Sequence, residues 1–129
     1  MPTTIKGRHR ERQESVRGGN GSGFRLIVRQ AMLDLSDFSV ILGYEVAETT
    51  GLFRLRRHNG DSHDHSNRLE GSIVRGYHVH VATERYQLAG FGEDGYAEAT
   101  NSYEDLIGAI HHMLSAAHFA PPPQTAMPI

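Results

Sequence analysis

The chain has 129 residues, 38% of them hydrophobic and 22% charged, with a formal net charge of −2 and nine histidines. That length fits one domain around one modest core, and the balanced charge excludes a strongly basic packaging protein. The absence of cysteine excludes a disulfide scaffold, a thiolate zinc site and cysteine catalysis, and no apolar run approaches the roughly 20 residues of a membrane helix.

Residues 1–23 hold five Lys/Arg (Lys6, Arg8, Arg10, Arg12, Arg17) against Glu11 and Glu14 and are net +3, leaving −5 for the remainder. They run into Gly18-Gly19-Asn20-Gly21-Ser22-Gly23, whose side chains offer nothing to bury against the ordering entropy. The composition predicts a flexible basic arm over 1–23, a single α+β domain over 24–118 and a Pro-rich disordered tail over 119–129. The polar, basic N-terminus lacks the apolar stretch of a secretory leader, so a cytoplasmic protein is expected.

Inside the domain, Phe24–Leu33 reads as a strand or a short helix, and periodicity does not decide between them. Leu35-Ser36-Asp37 suits a turn. Phe38–Glu48 alternates as a strand, Thr49-Thr50-Gly51 suits a hairpin turn, and Leu52–His58 continues the meander. There the alternation puts Phe53 and Leu55 on one face and Arg54, Arg56 and His58 on the other. A polar loop over 59–67 follows. Ser72–Thr83 is the clearest strand, with Tyr77, Val79 and Val81 on one side and His78 and His80 on the other. Residues 85–97, punctuated by Gly90, Gly92 and Gly95, suggest a strand or hairpin. The last element is a helix capped at Asn101 or Ser102, with Glu104 or Asp105 three residues on. Leu106, Ile107, Ile110, Met113, Leu114 and Ala117 form its apolar stripe, and His111, His112 and His118 sit in its last turns, where cations complement the dipole. The expected fold is an antiparallel β-meander of four to five strands with one C-terminal α-helix packed across it.

The chemistry concentrates in the histidines at 58, 63, 65, 78 and 80. On a strand, His78 and His80 point the same way, roughly 6–7 Å apart. If the strands at 52–58 and 72–83 are neighbours, Arg54, Arg56 and His58 join them in a cluster of two guanidiniums and three imidazoles. Arginine grips phosphate in a bidentate way and histidine exchanges protons near neutral pH. These are the parts needed to cleave RNA through its own 2′-hydroxyl without a metal. The catalytic candidates are therefore His78, His80, His58, Arg54 and Arg56; Arg57 and Tyr86 are candidate nucleic-acid contacts, and Tyr103 could also stack a base. The same face also fits a solvated or partner-covered sheet surface.

Two resemblances bear on this. His78-x-His80-x3-Glu84 resembles the first metal motif of cupins and implies a divalent transition metal such as zinc on His78, His80 and Glu84. His63, His65, Asp61 and Asp64 are other candidates for the third ligand. The flanking glycines, Gly71 and Gly90 or Gly92, are each one residue out of register, and the second cupin motif is absent. The pattern LRRHNGDSHDH followed by GYHVHVATERY resembles small TumE-type toxins of bacterial toxin–antitoxin modules. It does so through Arg57, His58, Asn59, Gly60, His63, Asn67, Gly76, His78 and His80, over residues 38 to 110. That resemblance implies a bacterial or phage conflict system and a nucleic-acid target, with RNA expected. The sequence leaves two further readings open: a non-enzymatic inhibitor, counter-defence protein or antitoxin that binds a protein partner through the same face, and the metal protein. No membrane partner is expected, and an exposed strand edge would suit a homodimer.

Overall fold

The computed structural model describes residues 3–18, 23–46 and 51–117. In chain order its elements are β1 (Thr4–Lys6), β2 (His9–Arg17), β3 (Gly23–Ala31), β4 (Phe38–Glu45), β5 (Leu52–Asn59), β6 (His65–Asn67), β7 (Ser72–Val74), β8 (His78–Val81), α1 (Glu84–Leu88), β9 (Ala97–Ala99) and α2 (Leu106–Ala116). Seven strands form one antiparallel sheet in the order β1-β2-β3-β4-β5-β8-β9, and β6 and β7 pair as a separate two-stranded ribbon. The protein is α+β, a meander with a C-terminal helix across it, and it has more strands than the sequence pattern predicted. Among the described residues, no helix is long and apolar enough to cross a membrane.

The added strands come from the segment expected to be a flexible arm. β2 pairs with β3 along its whole length, from His9 opposite Ala31 to Arg17 opposite Gly23. Its one buried charge is satisfied from both neighbouring strands. Glu11 is 7% exposed and is held by Lys6 at 2.6 Å and Arg29 at 3.4 Å. Local composition registers only charge and glycine there, because the partner strand lies beyond the turn. The glycine run at 19–22, the turn residues 47–50, His118 and the tail at 119–129 lie outside the described residues.

Three other expectations are corrected. The stretch at 72–83 is not one strand: Gly76 adopts φ +77°, a left-handed turn that side chains disfavour. It separates β7, in the ribbon, from β8, in the main sheet. Residues 85–97 are not a strand or hairpin but α1, a glycine-rich turn and the start of β9. Thr83 caps α1 by accepting from the Tyr86 amide, which suits an N-cap threonine. The cap of α2 is Asp105, whose side chain accepts from the Gly108 amide, rather than Asn101 or Ser102.

The core lies between the sheet and α2. Leu26, Val28, Phe38, Val40, Leu42 and Val79 from the strands meet Tyr103, Leu106, Ala109, Ile110, Met113 and Leu114. Each fully buried Leu, Ile or Met side chain contributes about 1.5–3 kcal/mol relative to exposure. Ile107, included in the predicted stripe, is 49% exposed, because residues one position apart on a helix diverge by about 100°.

Candidate functional site

Strands β5 and β8 are neighbours, as the clustering of their basic residues requires. Their register pairs Arg57 with His80, His58 with Val79 and Asn59 with His78. Residues opposite one another share a face, so His78 and His80 lie with Arg57 and Asn59, while His58 lies with Val79 on the helix side. A bulge then divides the arginines. Leu42 pairs with Arg56 and Gly43 with Arg54, leaving Leu55 without a cross-strand partner. One extra residue reverses the alternation. Arg54 thus falls on the open face and Arg56 on the helix face. The predicted five-residue cluster is corrected to two separate groups.

On the helix face, His58 is fully buried. Its ring stacks on Tyr103 at 5.7 Å between centroids, with 8° between planes. Arg56 Nε donates to His58 Nε2 at 3.2 Å, and His58 Nδ1 lies 3.3 Å from His112 Nδ1. Burial, with Arg56 and His112 adding to it, pushes the His58 pKa down to about 3. His112 is pushed down by burial and by Arg56. His112 therefore belongs to the helix–sheet seam rather than serving only as a cation at the helix end. His58 is thus enclosed and held neutral, while His112 beside it is half-buried at the seam.

The open face carries a connected polar network. Arg57 Nε donates to Asn59 Oδ1 at 2.9 Å and its Nη2 to Ser39 Oγ at 3.1 Å. Ser39 Oγ donates to Asn59 Oδ1 at 2.8 Å. Asn59 Nδ2 then lies 3.2 Å from His78 Nε2, and His78 Nδ1 lies 2.8 Å from the Gly76 carbonyl. A carbonyl only accepts, so Nδ1 bears the proton and Nε2 receives the Asn59 amide. Burial depresses the His78 pKa, the Gly76 carbonyl opposes that, and His65, Arg57 and His63 add to the depression. Burial lowers the Arg57 pKa as well, with Asp94 acting against it.

This network forms the floor of a cleft of about 230 Å³, whose walls include His9, Arg29, Asp37, Ser62 and His63. Asp37 Oδ2 is 3.3 Å from His9 Nε2, and Asp37 Oδ1 accepts from Ser62 Oγ at 3.0 Å. The carboxylate thus fixes the His9 ring with Nδ1 left free. Gly60 permits this closeness: a Cβ there would stand 1.9 Å from the Ser36 carbonyl oxygen.

Beside the cleft, His80 and His65 pack against His78. Ring centroids are 5.0 Å apart for His78–His80, 4.6 Å for His65–His80 and 6.3 Å for His65–His78. His80 Nδ1 donates to the Asp94 carbonyl at 2.9 Å and His65 Nε2 to the Gly95 carbonyl at 2.7 Å. Burial, with His65 and His78 adding to it, takes the His80 pKa to about 3, so His80 has no proton to give at neutral pH. Asn67 holds the ribbon here with two bonds to Ala97, Nδ2 to its carbonyl at 2.8 Å and Oδ1 from its amide at 2.9 Å.

The remaining candidates fall elsewhere. Arg54 pairs with Asp94 at 2.9 Å and Glu93 at 3.6 Å. Tyr86 is fully buried and Tyr103 is 4% exposed, so neither can stack a base. The Tyr86 hydroxyl is used internally, donating to Glu70 and accepting from the Leu69 amide at 3.1 Å. Glu84 is exposed in the first turn of α1. Asp61 and Asp64 are exposed, and Asp64 faces Arg75 at 3.4 Å. Among the described residues, no group of three or more His, Cys, Asp or Glu stands arranged to hold a metal ion. Sequence reasoning missed His9, Arg29, Ser39 and Asp37, whose shared position depends on pairing across four strands. The one local signal was the alternation of β4, which puts Ser39 opposite its apolar neighbours.

No family model matches the chain, no curated protein matches it and no solved structure matches its fold.

Proposed function

We propose that the protein acts on RNA in the open-face cleft, as a small toxin-like component of a bacterial or phage conflict system, and cleaves it without a metal at the reacting phosphate. One observation carries this reading: the cleft collects Arg29 and Arg57 with three imidazoles, and Asp37 holds one of those imidazoles in place. The guanidiniums grip the phosphate and stabilise charge on the phosphorane. His9 Nδ1 takes the 2′-hydroxyl proton, and Asp37 stabilises the imidazolium that results, as the carboxylate does in a His–Asp pair. The 2′-oxygen bonds to phosphorus and the P–O5′ bond breaks. His63, exposed at the rim, gives its proton to the leaving 5′-oxygen. These roles replace those expected of His80 and His58, which are buried and neutral.

The test is cleavage of a single-stranded RNA in chelator, with a 2′-deoxy substrate as control. His9→Asn and His63→Gln should each lower the rate by about 10²–10⁴-fold while keeping the fold by circular dichroism. Full activity in both variants, or cleavage of the 2′-deoxy substrate, overturns the reading. A second reading, a non-catalytic surface for a protein partner, draws on the cleft's mixed charge: Glu11 lies 3.4 Å from Arg29, and Asp94 lies 3.6 Å from Arg57. Absent cleavage with graded loss of partner binding across the same variants would favour it.

A further inference from the structure

We propose that Arg56 and His112 form a binding site for a phosphate group at the seam between α2 and the sheet, on the face opposite the cleft. Arg56 is a charge without a counter-charge. Among the described residues it makes one hydrogen bond, from Nε to His58 Nε2 at 3.2 Å, and no ion pair. On the open face, by contrast, Arg25, Arg29, Arg54 and Arg57 each meet a carboxylate. Arg56 is half-buried, and the residues opposite it on β4 and β8 are Leu42 and Val81, which carry no charge to neutralise it. A cation set among apolar side chains favours an anion beside it. Its Nε is occupied, so the Nη1/Nη2 edge is the fork left to grip one.

The neighbouring rings supply a further donor. A guanidinium only donates, so His58 Nε2 accepts and the His58 proton sits on Nδ1. The Ala109 carbonyl also accepts from this ring. His112 Nδ1 lies 3.3 Å from His58 Nδ1, so it faces an N–H and accepts. The proton of neutral His112 is then on Nε2, which has no hydrogen-bond partner among the described residues. His58 thus fixes the guanidinium on one side and the His112 ring on the other, and its stacking on Tyr103 holds it in place. A phosphate with two hydrogen bonds of about 2.9 Å has the reach of His58 with its bonds of 3.2 and 3.3 Å. It can join on the outer side the two residues that His58 joins on the inner side, and none of these bonds has to break. The fork uses both oxygens of a carboxylate. A phosphate group has three acceptor oxygens and serves the fork and His112 together. Burial and then Arg56 lower the His112 pKa. A bound anion opposes both and favours the protonated ring.

The experiment titrates the untagged full chain with inorganic phosphate and follows side-chain ¹⁵N and ¹H resonances. In the wild type, those of Arg56 and His112 Nε2 should shift together and saturate, and the His112 pKa should rise once phosphate is bound. Arg56→Lys keeps the charge without the fork, and His112→Phe keeps a ring without the donor. Each should weaken the affinity read at the seam by at least about 10-fold, the scale of one lost charge-assisted hydrogen bond. Acetate, with two oxygens, should bind more weakly than phosphate by a similar factor. The absence of a saturable shift at Arg56 and His112, unchanged affinity in both variants, or equal affinity for acetate would overturn the proposal. Phosphate held in the cleft registers separately, at Arg29, Arg57 and His63, so the RNA reading stands or falls on its own test.

Discussion

The two faces of the main sheet take histidines from the same strands and use them differently. On the helix face, His58 is enclosed by Tyr103, Arg56 and His112, and its hydrogen bonds end within the core. On the open face, His78 is nearly as buried, at 2% exposure, yet it forms the floor of a cleft through a network that reaches Arg57 and Ser39. Burial lowers the pKa of both imidazoles. What separates the core histidine from the cleft-lining one is therefore the face it occupies. Strand register and the single-residue bulge at Leu55 decide that face.

The comparison breaks most visibly if the helix face loses its packing. Met113, on α2, is fully buried against the sheet, so Met113→Ala should cost about 2–5 kcal/mol by urea unfolding. An effect below about 1 kcal/mol would mean that α2 does not hold the sheet as described.

A pH series sharpens the comparison. The folded pKa of His58, about 3, lies below its ordinary value of 6.5, so the unfolded chain binds the proton more readily. The stability this contributes is complete above pH 6.5 and is lost as pH falls from 6.5 toward 3. At about 1.4 kcal/mol per pKa unit, a few kcal/mol should disappear between pH 7 and pH 4. His78, His80 and His112 shift in the same direction, so the informative quantity is the difference between the wild type and His58→Gln. A glutamine keeps an acceptor for Arg56 and does not titrate. Parallel stability curves for the two proteins would show that His58 is not held neutral in the folded state.

The smallest effect concerns the open face. Asn67 is 4% exposed and bonds to both the amide and the carbonyl of Ala97. Asn67→Ala should cost about 1–3 kcal/mol and accelerate hydrogen exchange at the Ala97 amide while leaving α2 amides protected. Uniform loss of protection would mean that the ribbon and the helix face unfold as one unit.

Much of the fold was legible because its signals are local. The alternation of 38–45, the turn at 35–36 and the helical spacing of Leu106, Ile110, Met113 and Leu114 each sit within one element. The orientation of Tyr77 and Val79 against His78 and His80 was likewise readable from the period of two. The strands at 4–17 were not, since β2 is held by backbone pairing along its whole length with β3, which a composition window does not contain. Thr83 capping α1 was a readable signal, outweighed by the glycines that follow it.

The residues alone determined that this is a small cysteine-free α+β domain, with imidazoles and guanidiniums concentrated between 54 and 80 and a helix to cover one side of a sheet. Only the tertiary structure decided which of those groups meet. Leu55 bulges out of register and sends Arg56 and His58 to the core side; Gly76 ends one strand and begins another in a different sheet; the pairing of β2 with β3 carries His9 and Arg29 to the cleft. The physical reason is that a strand's side-chain period is two. A single inserted residue, invisible in composition and indistinct in pattern, moves every side chain beyond it to the other face.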